Sequence, residues 1–206
     1  MNYLAHFHLA DAVARRSGFD DQGLLIGGLL GDFVKGPLRG AHPHPWEVGI
    51  RLHRRIDALT DTHPLTRQCL EDLPKEYRRY GGIMLDLCFD HCLSTQWPRL
   101  HPDPLPAFNQ RTYRQVLDHA ADFPRAASRQ MQILADYDVL SGMSDWQRIE
   151  AMLKRIGQRI VRANPLANCG PTLARQMPTI EARFLEMYPQ LIEELCDGFE
   201  ALTESP

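Results

Sequence analysis

Long apolar runs are missing from this 206-residue chain: none approaches the ~20 consecutive apolar residues that a bilayer-spanning helix needs. The opening stretch, MNYLAHFHLADAVARRSG, carries its charges after its apolar part, the reverse of a secretory leader. A cytoplasmic protein with no membrane contact is expected. Cysteine is sparse: Cys69, Cys88, Cys92, Cys169 and Cys196 are odd in number and contain no CxxC pair. That excludes a zinc ribbon and a disulfide framework and leaves reduced, packed thiols. A basic excess is also lacking, since 26 acidic residues stand against 23 Lys and Arg for a net charge of −3. A general nucleic-acid binder carries the opposite balance. Strand-like alternation, internal repeats, low-complexity tracts and domain-separating linkers are absent as well, so residues 1–206 are read as one domain.

What is present is apolar spacing of helical period nearly throughout, which makes the chain all-α, a multi-helix bundle. The periodicity predicts helices over residues 3–16, 22–34, 45–61, 65–80, 82–97, 110–122, 124–137, 144–163 and 172–203. Proline and glycine clusters punctuate them at KGPLRGAHPHP, PRLHPDPLP and RANPLANCGP. The glycine-rich GLLIGGLLGDF implies a helix that approaches a neighbour closely.

Polar residues inside the apolar helices carry the chemistry. In the run IMLDLCFDHCL, Asp86 and Asp90 lie four apart on one stripe, with Cys88 and Cys92 on roughly the opposite side. His91 adjoins Asp90, and the pair could reach one metal from neighbouring helical directions. Buried carboxylates without partners cost several kcal/mol each. Something cationic must therefore meet them, an arginine or a divalent metal, and this helix alone does not choose between the two. The segment VGIRLHRRIDALTDTHP adds His53, Asp57 and Asp61 at spacings of four, with Arg54 on the same side and Arg51 and Arg55 turned away. A histidine and a carboxylate one helical turn apart can bind one ion together, and mixed nitrogen and oxygen donors suit borderline metals. His6 and His8 point about 200° apart on a helix, so at most one faces a shared site; His6, with Asn2 and Ala10 one turn away, has the small neighbours a ligand needs. Asp32 falls near the end of a wholly apolar helix, where a carboxylate opposes the helix dipole and needs another purpose. His42, His44, His63, His101 and His119 lie in loops or on polar faces and are bystanders.

The motifs MNYLAHFHLA, GGLLGDFVKG, GIRLHRRIDALTD and LDLCFDHCL, in this order and at these separations, resemble the acyl carrier protein phosphodiesterases, a bacterial family related to the HD-type metal phosphohydrolases. The resemblance is most specific from Met1 to about Trp97 and continues weakly to ARFLEMYPQL. It implies an HD-domain-like all-α fold and a divalent metal, with manganese preferred. It also implies hydrolysis of the phosphodiester joining 4′-phosphopantetheine to a serine of holo-acyl carrier protein. The adjacent pair here is Asp90-His91, whereas the usual HD signature has His before Asp, so roles are assigned by motif in this sequence. On that reading His6, Asp32, His53, Asp90 and His91 are metal ligands. Asp57 and Asp86 are ligands or orient the attacking water, and Arg54 binds a non-bridging phosphate oxygen.

Acyl carrier proteins are small, acidic and helical, so the cations Lys35, Arg39, Arg51 and Arg55, with Arg54, Arg78 and Arg79 nearby, are expected to steer one to the site. Two other readings compete. An HD-like phosphohydrolase acting on a nucleotide or another small phosphate ester would need no basic face. A helical scaffold whose His and Asp residues form structural ion pairs would bind no metal.

Overall fold

The computed structural model describes residues 1–204; the last two residues of the expected 1–206 domain lie outside the described residues. Among the described residues the chain forms twelve α-helices, three short 3-10 turns and no strand. The helices are α1 (Tyr3–Ser17), α2 (Asp21–Leu30), α3 (His44–Thr62), α4 (Pro64–Asp72), α5 (Lys75–Arg78), α6 (Gly81–Thr95), α7 (Trp97–Leu100), α8 (Leu105–Leu117), α9 (Arg125–Asp136), α10 (Trp146–Arg159), α11 (Gly170–Asp197) and α12 (Phe199–Thr203). One continuous cluster of buried apolar side chains runs from Met1 to Phe199. No helix among the described residues is long and apolar enough to cross a membrane.

Two of the expected helices are each divided in two. The 65–80 helix splits at Pro74, which has no N–H to donate, and the 172–203 helix splits at Gly198. Inside α11, Pro178 and Pro189 do not end the helix. The expected 22–34 helix stops at Leu30, so Asp32 sits in the turn beyond it.

Glycine sets the central contact. A Cβ on Gly27 of α2 would collide with the backbone of Gly49 on α3, so these two helices touch backbone to backbone. That approach brings the end of α2 against the middle of α3, where His53 lies.

Helix α1 lies across both helices and also contacts α6. Its inner face is polar as well as apolar. His8, 1% exposed, is held by the Leu100 carbonyl at Nε2 (3.2 Å) and the Tyr188 hydroxyl at Nδ1 (2.9 Å). Because a carbonyl only accepts, Nε2 carries the hydrogen and Nδ1 accepts from Tyr188. Beside it, Asp11 takes Arg15 (2.8 Å), Arg111 (2.9 Å) and His101 (3.3 Å).

Burial, followed by the charge of His101, lowers the His8 pKa to about 3. An unfolded histidine titrates near 6.5, so below that pH the unfolded chain takes up a proton the folded chain refuses. His8 therefore removes stability as pH falls from about 6.5 towards 3, at about 1.4 kcal/mol per pH unit. Urea unfolding of wild type and His8→Gln between pH 6.5 and 4.5 checks this. The pH slope of the variant should be shallower by about that amount, and equal slopes would contradict the assignment.

Candidate metal centre

His53 is positioned by the end of α2. Gly28 lies in the last turn of that helix, where carbonyls run out of intrahelical donors, and the His53 ring supplies one, Nδ1 to Gly28 O at 2.9 Å. The carbonyl fixes a hydrogen on Nδ1, so a neutral tautomer of this ring turns its bare lone pair, on Nε2, the other way. That lone pair faces two carboxylates, Asp57 Oδ2 at 3.3 Å and Asp32 Oδ1 at 3.8 Å. Gly31 makes the placement possible, because a Cβ there would run into the His53 imidazole ring. Gly31→Ala should push the ring aside and cost about a hundredfold in turnover, the penalty of an ångström-scale misplacement. Steady-state kinetics on the purified variant checks this, and wild-type turnover would mean that the ring position is unimportant.

His6 arrives from α1. Its ring stacks on His53 with centroids 3.8 Å apart and 10° between planes, and its Nε2 lies 3.1 Å from Asp57 Oδ1. Its Nδ1 is buried with no hydrogen-bond partner. Burial lowers the His6 pKa to about 4 against the pull of the Asp57 hydrogen bond, so the ring is neutral at neutral pH. Burial would raise Asp57, but the adjoining imidazoles of His53 and then His6 outweigh it and hold the carboxyl well below its usual range. Asp57 therefore remains an anion between two imidazoles.

Further residues complete the rim. Asp86 reaches it from α6, with Oδ1 3.0 Å from the Met1 amino nitrogen, which also lies 3.4 Å from Asp57. Tyr3 lies beside Asp32, and its pKa is raised by burial and then by the Asp32 charge. Tyr3 is a site neighbour that sequence reasoning passed over, since a tyrosine in the first turn of an apolar helix reads as core. A depression of about 390 Å³ opens over the cluster, lined by His53, Asp57, Asp32, Arg54 and Lys35 among others. Arg54 is braced by Nη2 to Val34 O at 2.9 Å, leaving guanidinium donors for an anionic ligand.

The structure does not bring Asp90 and His91 to this cluster. Asp90 is fully buried, and its two oxygens accept the Leu4 and Ala5 amides at 3.0 Å each, capping the start of α1. Burial pushes its pKa up to about 7 although the Ala5 and Leu4 amides oppose the shift. Asp86 and Asp90 do share one stripe of α6, but α1 begins on top of the second. His91, about 100° further round, gives Nδ1 to Met143 O at 2.8 Å and packs edge-on against Trp146. Arg51 and Arg55 also lie elsewhere: Arg51 contacts Glu47 (3.5 Å) and Leu202 O (3.4 Å), and Arg55 pairs with Glu194 (3.0 Å). Their side of α3 faces the C-terminal helices. Lys35 lines the depression, and Arg39 is exposed on the loop that follows.

Metal-donor atoms of His6, His53 and Asp57 lie within 4.8 Å of one another, with Asp32 alongside. A bare imidazole nitrogen aimed at two carboxylate oxygens is repulsive on its own. The same donors, mixed nitrogen and oxygen, fit a borderline divalent cation, and the unpartnered His6 Nδ1 is consistent with a ring placed for its Nε2.

Comparison with known proteins finds a family match and relatives over nearly the whole chain. Residues 1–191 match the family model described as acyl carrier protein phosphodiesterase. A protein of that name from Photorhabdus laumondii is 34% identical over 195 residues, 94% of each chain. Another from Serratia proteamaculans is 33% identical over 198 residues, 96% of this chain and 98% of its own. A third, from Escherichia coli, is 34% identical over 195 residues, 94% of this chain and 97% of its own. No solved structure matches.

Proposed function

The chain belongs to the acyl carrier protein phosphodiesterase family, and from that premise we propose that it hydrolyses the phosphodiester between 4′-phosphopantetheine and a serine of holo-acyl carrier protein. The products are the apo-protein and free phosphopantetheine. His6, His53, Asp57 and Asp32 would hold a divalent cation, manganese being the expected one. The observation that carries this reading is the His53 lone pair facing Asp57 and Asp32 beside His6.

A phosphodiester is a reluctant electrophile because its negative charge repels nucleophiles. When bound, the cation supplies Lewis acidity, neutralising charge on the phosphoryl oxygens and lowering the pKa of water. The protein supplies the remainder. Arg54, braced on Val34, presents a guanidinium to a non-bridging oxygen, and Lys35 adds positive charge to the same wall. Neutral His6 and ionised Asp57 stand ready at neutral pH without giving up or taking on a proton. Asp86 Oδ2 has no partner among the described residues, which leaves that oxygen to orient water and accept its proton. The five unbridged thiols accord with a reducing, cytoplasmic setting.

The test is direct. Purified chain incubated with holo-acyl carrier protein and Mn²⁺ should convert it to the apo-form, read by mass spectrometry as loss of the phosphopantetheine mass. Holo-protein left intact under those conditions would contradict the reading.

A further inference from the structure

Resting on that substrate reading, we infer that the acidic carrier protein docks on the cationic surface made by the C-terminal half of α10 and the loop behind it, with Val161 at its centre. Lys154, Arg155, Arg159 and Arg162 are all exposed there, no acidic residue occurs in residues 151–164, and none of the four side chains forms an ion pair among the described residues. Charge of one sign left unneutralised on a protein of net charge −3 is complementary to an acidic partner. Val161 stands fully exposed among these cations, with Ile160 half-buried beside it. Single exposed apolar residues are ordinary. An apolar centre ringed by long polar side chains, however, is the composition of a protein-docking patch.

The position of the patch connects it to the metal centre. Trp146 at the start of α10 packs against His91 near the end of α6, and Ala163, beyond the end of α10, accepts from the Tyr80 hydroxyl at the start of α6 (3.4 Å). The two helices therefore run antiparallel, and the cationic loop lies beside the first turn of α6. From there Gly82, Ile83 and Asp86 form the solvent-facing stripe of α6, and Asp86 is the rim residue of the site. Six residues of helix separate Tyr80 from Asp86, about 9 Å. The scissile bond joins the arm to a serine on the body of the carrier protein, so that body must touch the rim. A standard interface of ~800 Å² per partner is ~32 Å across, wide enough to span the rim and the loop at Ala163 together. Arg51 and Arg55, two of the cations first expected to fill this role, are paired with acids on the opposite side of α3.

The experiment is charge reversal, Arg155→Glu/Arg159→Glu/Arg162→Glu, in the full chain loaded with Mn²⁺. Two substrates are compared, holo-acyl carrier protein and bis(p-nitrophenyl) phosphate, a small diester with no protein body. The expected result is a loss of at least about tenfold in kcat/KM for holo-carrier protein, carried by KM, with small-diester hydrolysis within about twofold of wild type. Val161→Asp should act in the same direction, and Arg125→Glu/Arg129→Glu, exposed on α9, should leave both substrates unaffected. Unchanged kinetics on holo-carrier protein, or an equal loss on both substrates, would overturn the docking surface. Wild-type chain that cleaves the small diester but never the holo-protein would refute the substrate assignment, a failure visible before any variant is made.

Discussion

Asp57→Ala should lower hydrolysis of holo-acyl carrier protein by at least about a thousandfold, ~4 kcal/mol of barrier, while leaving the fold in place. Asp57 lies between both imidazoles, 3.1 Å from His6 Nε2 and 3.3 Å from His53 Nε2, and these neighbours favour its ionised form. Alanine removes a donor oxygen and the negative charge that would balance a cation between the two imidazoles. The side chain is 43% exposed, so its loss opens no large cavity, and the melting temperature should move by only a few degrees. Asp57→Asn separates shape from charge: it keeps the size and one oxygen but should lose nearly as much activity. Steady-state kinetics alongside thermal unfolding reads both. An Asp57→Ala enzyme with more than a tenth of wild-type kcat/KM would remove Asp57 from the site.

Asp90→Ala should act on stability first, destabilising the chain by about 3 kcal/mol. The two amides that Asp90 caps are buried at the start of α1, and no other acceptor among the described residues meets them. An uncapped exposed helix costs about 1 kcal/mol, but unsatisfied buried donors cost 1–3 each, so the larger figure applies. Because α1 carries His6, loss of its first turn should also loosen the metal centre. Asp90→Asn, which retains one acceptor oxygen, should be intermediate. Urea unfolding of the metal-free protein decides the matter. An Asp90→Ala chain as stable as wild type but unable to bind metal would restore Asp90 as a ligand and overturn the capping role.

The sequence made the helical architecture legible because apolar spacing of one period runs through it, and it exposed His53 with Asp57 because spacings of four on a helix map directly onto one face. Asp32 stood out by its conflict with the helix dipole, and its place beside His53 Nε2 supplies the other purpose that the conflict called for. What could not be read was which helix covers which. Asp86 and Asp90 are equivalent on a helical wheel, and only the start of α1 distinguishes rim from cap. Asp90 and His91 are neighbours in sequence, but a step of about 100° sends one to α1 and the other towards α10. The glycines of α2 announced a close approach, while the identity of what approaches, Gly49 and the His53 ring, is a matter of tertiary pairing. Tyr3 carried no polar signal until Asp32 was placed beside it.

The central claim is that His6, His53, Asp57 and Asp32 hold one cation in common. Titration of chelator-stripped protein with Mn²⁺, following the free ion by electron paramagnetic resonance, measures this without any substrate. Wild type and His91→Ala should take up the ion, while His53→Ala and Asp57→Ala should leave it in solution. A wild-type chain that binds no Mn²⁺, or His53→Ala and Asp57→Ala variants that bind it as tightly as wild type, would contradict the account.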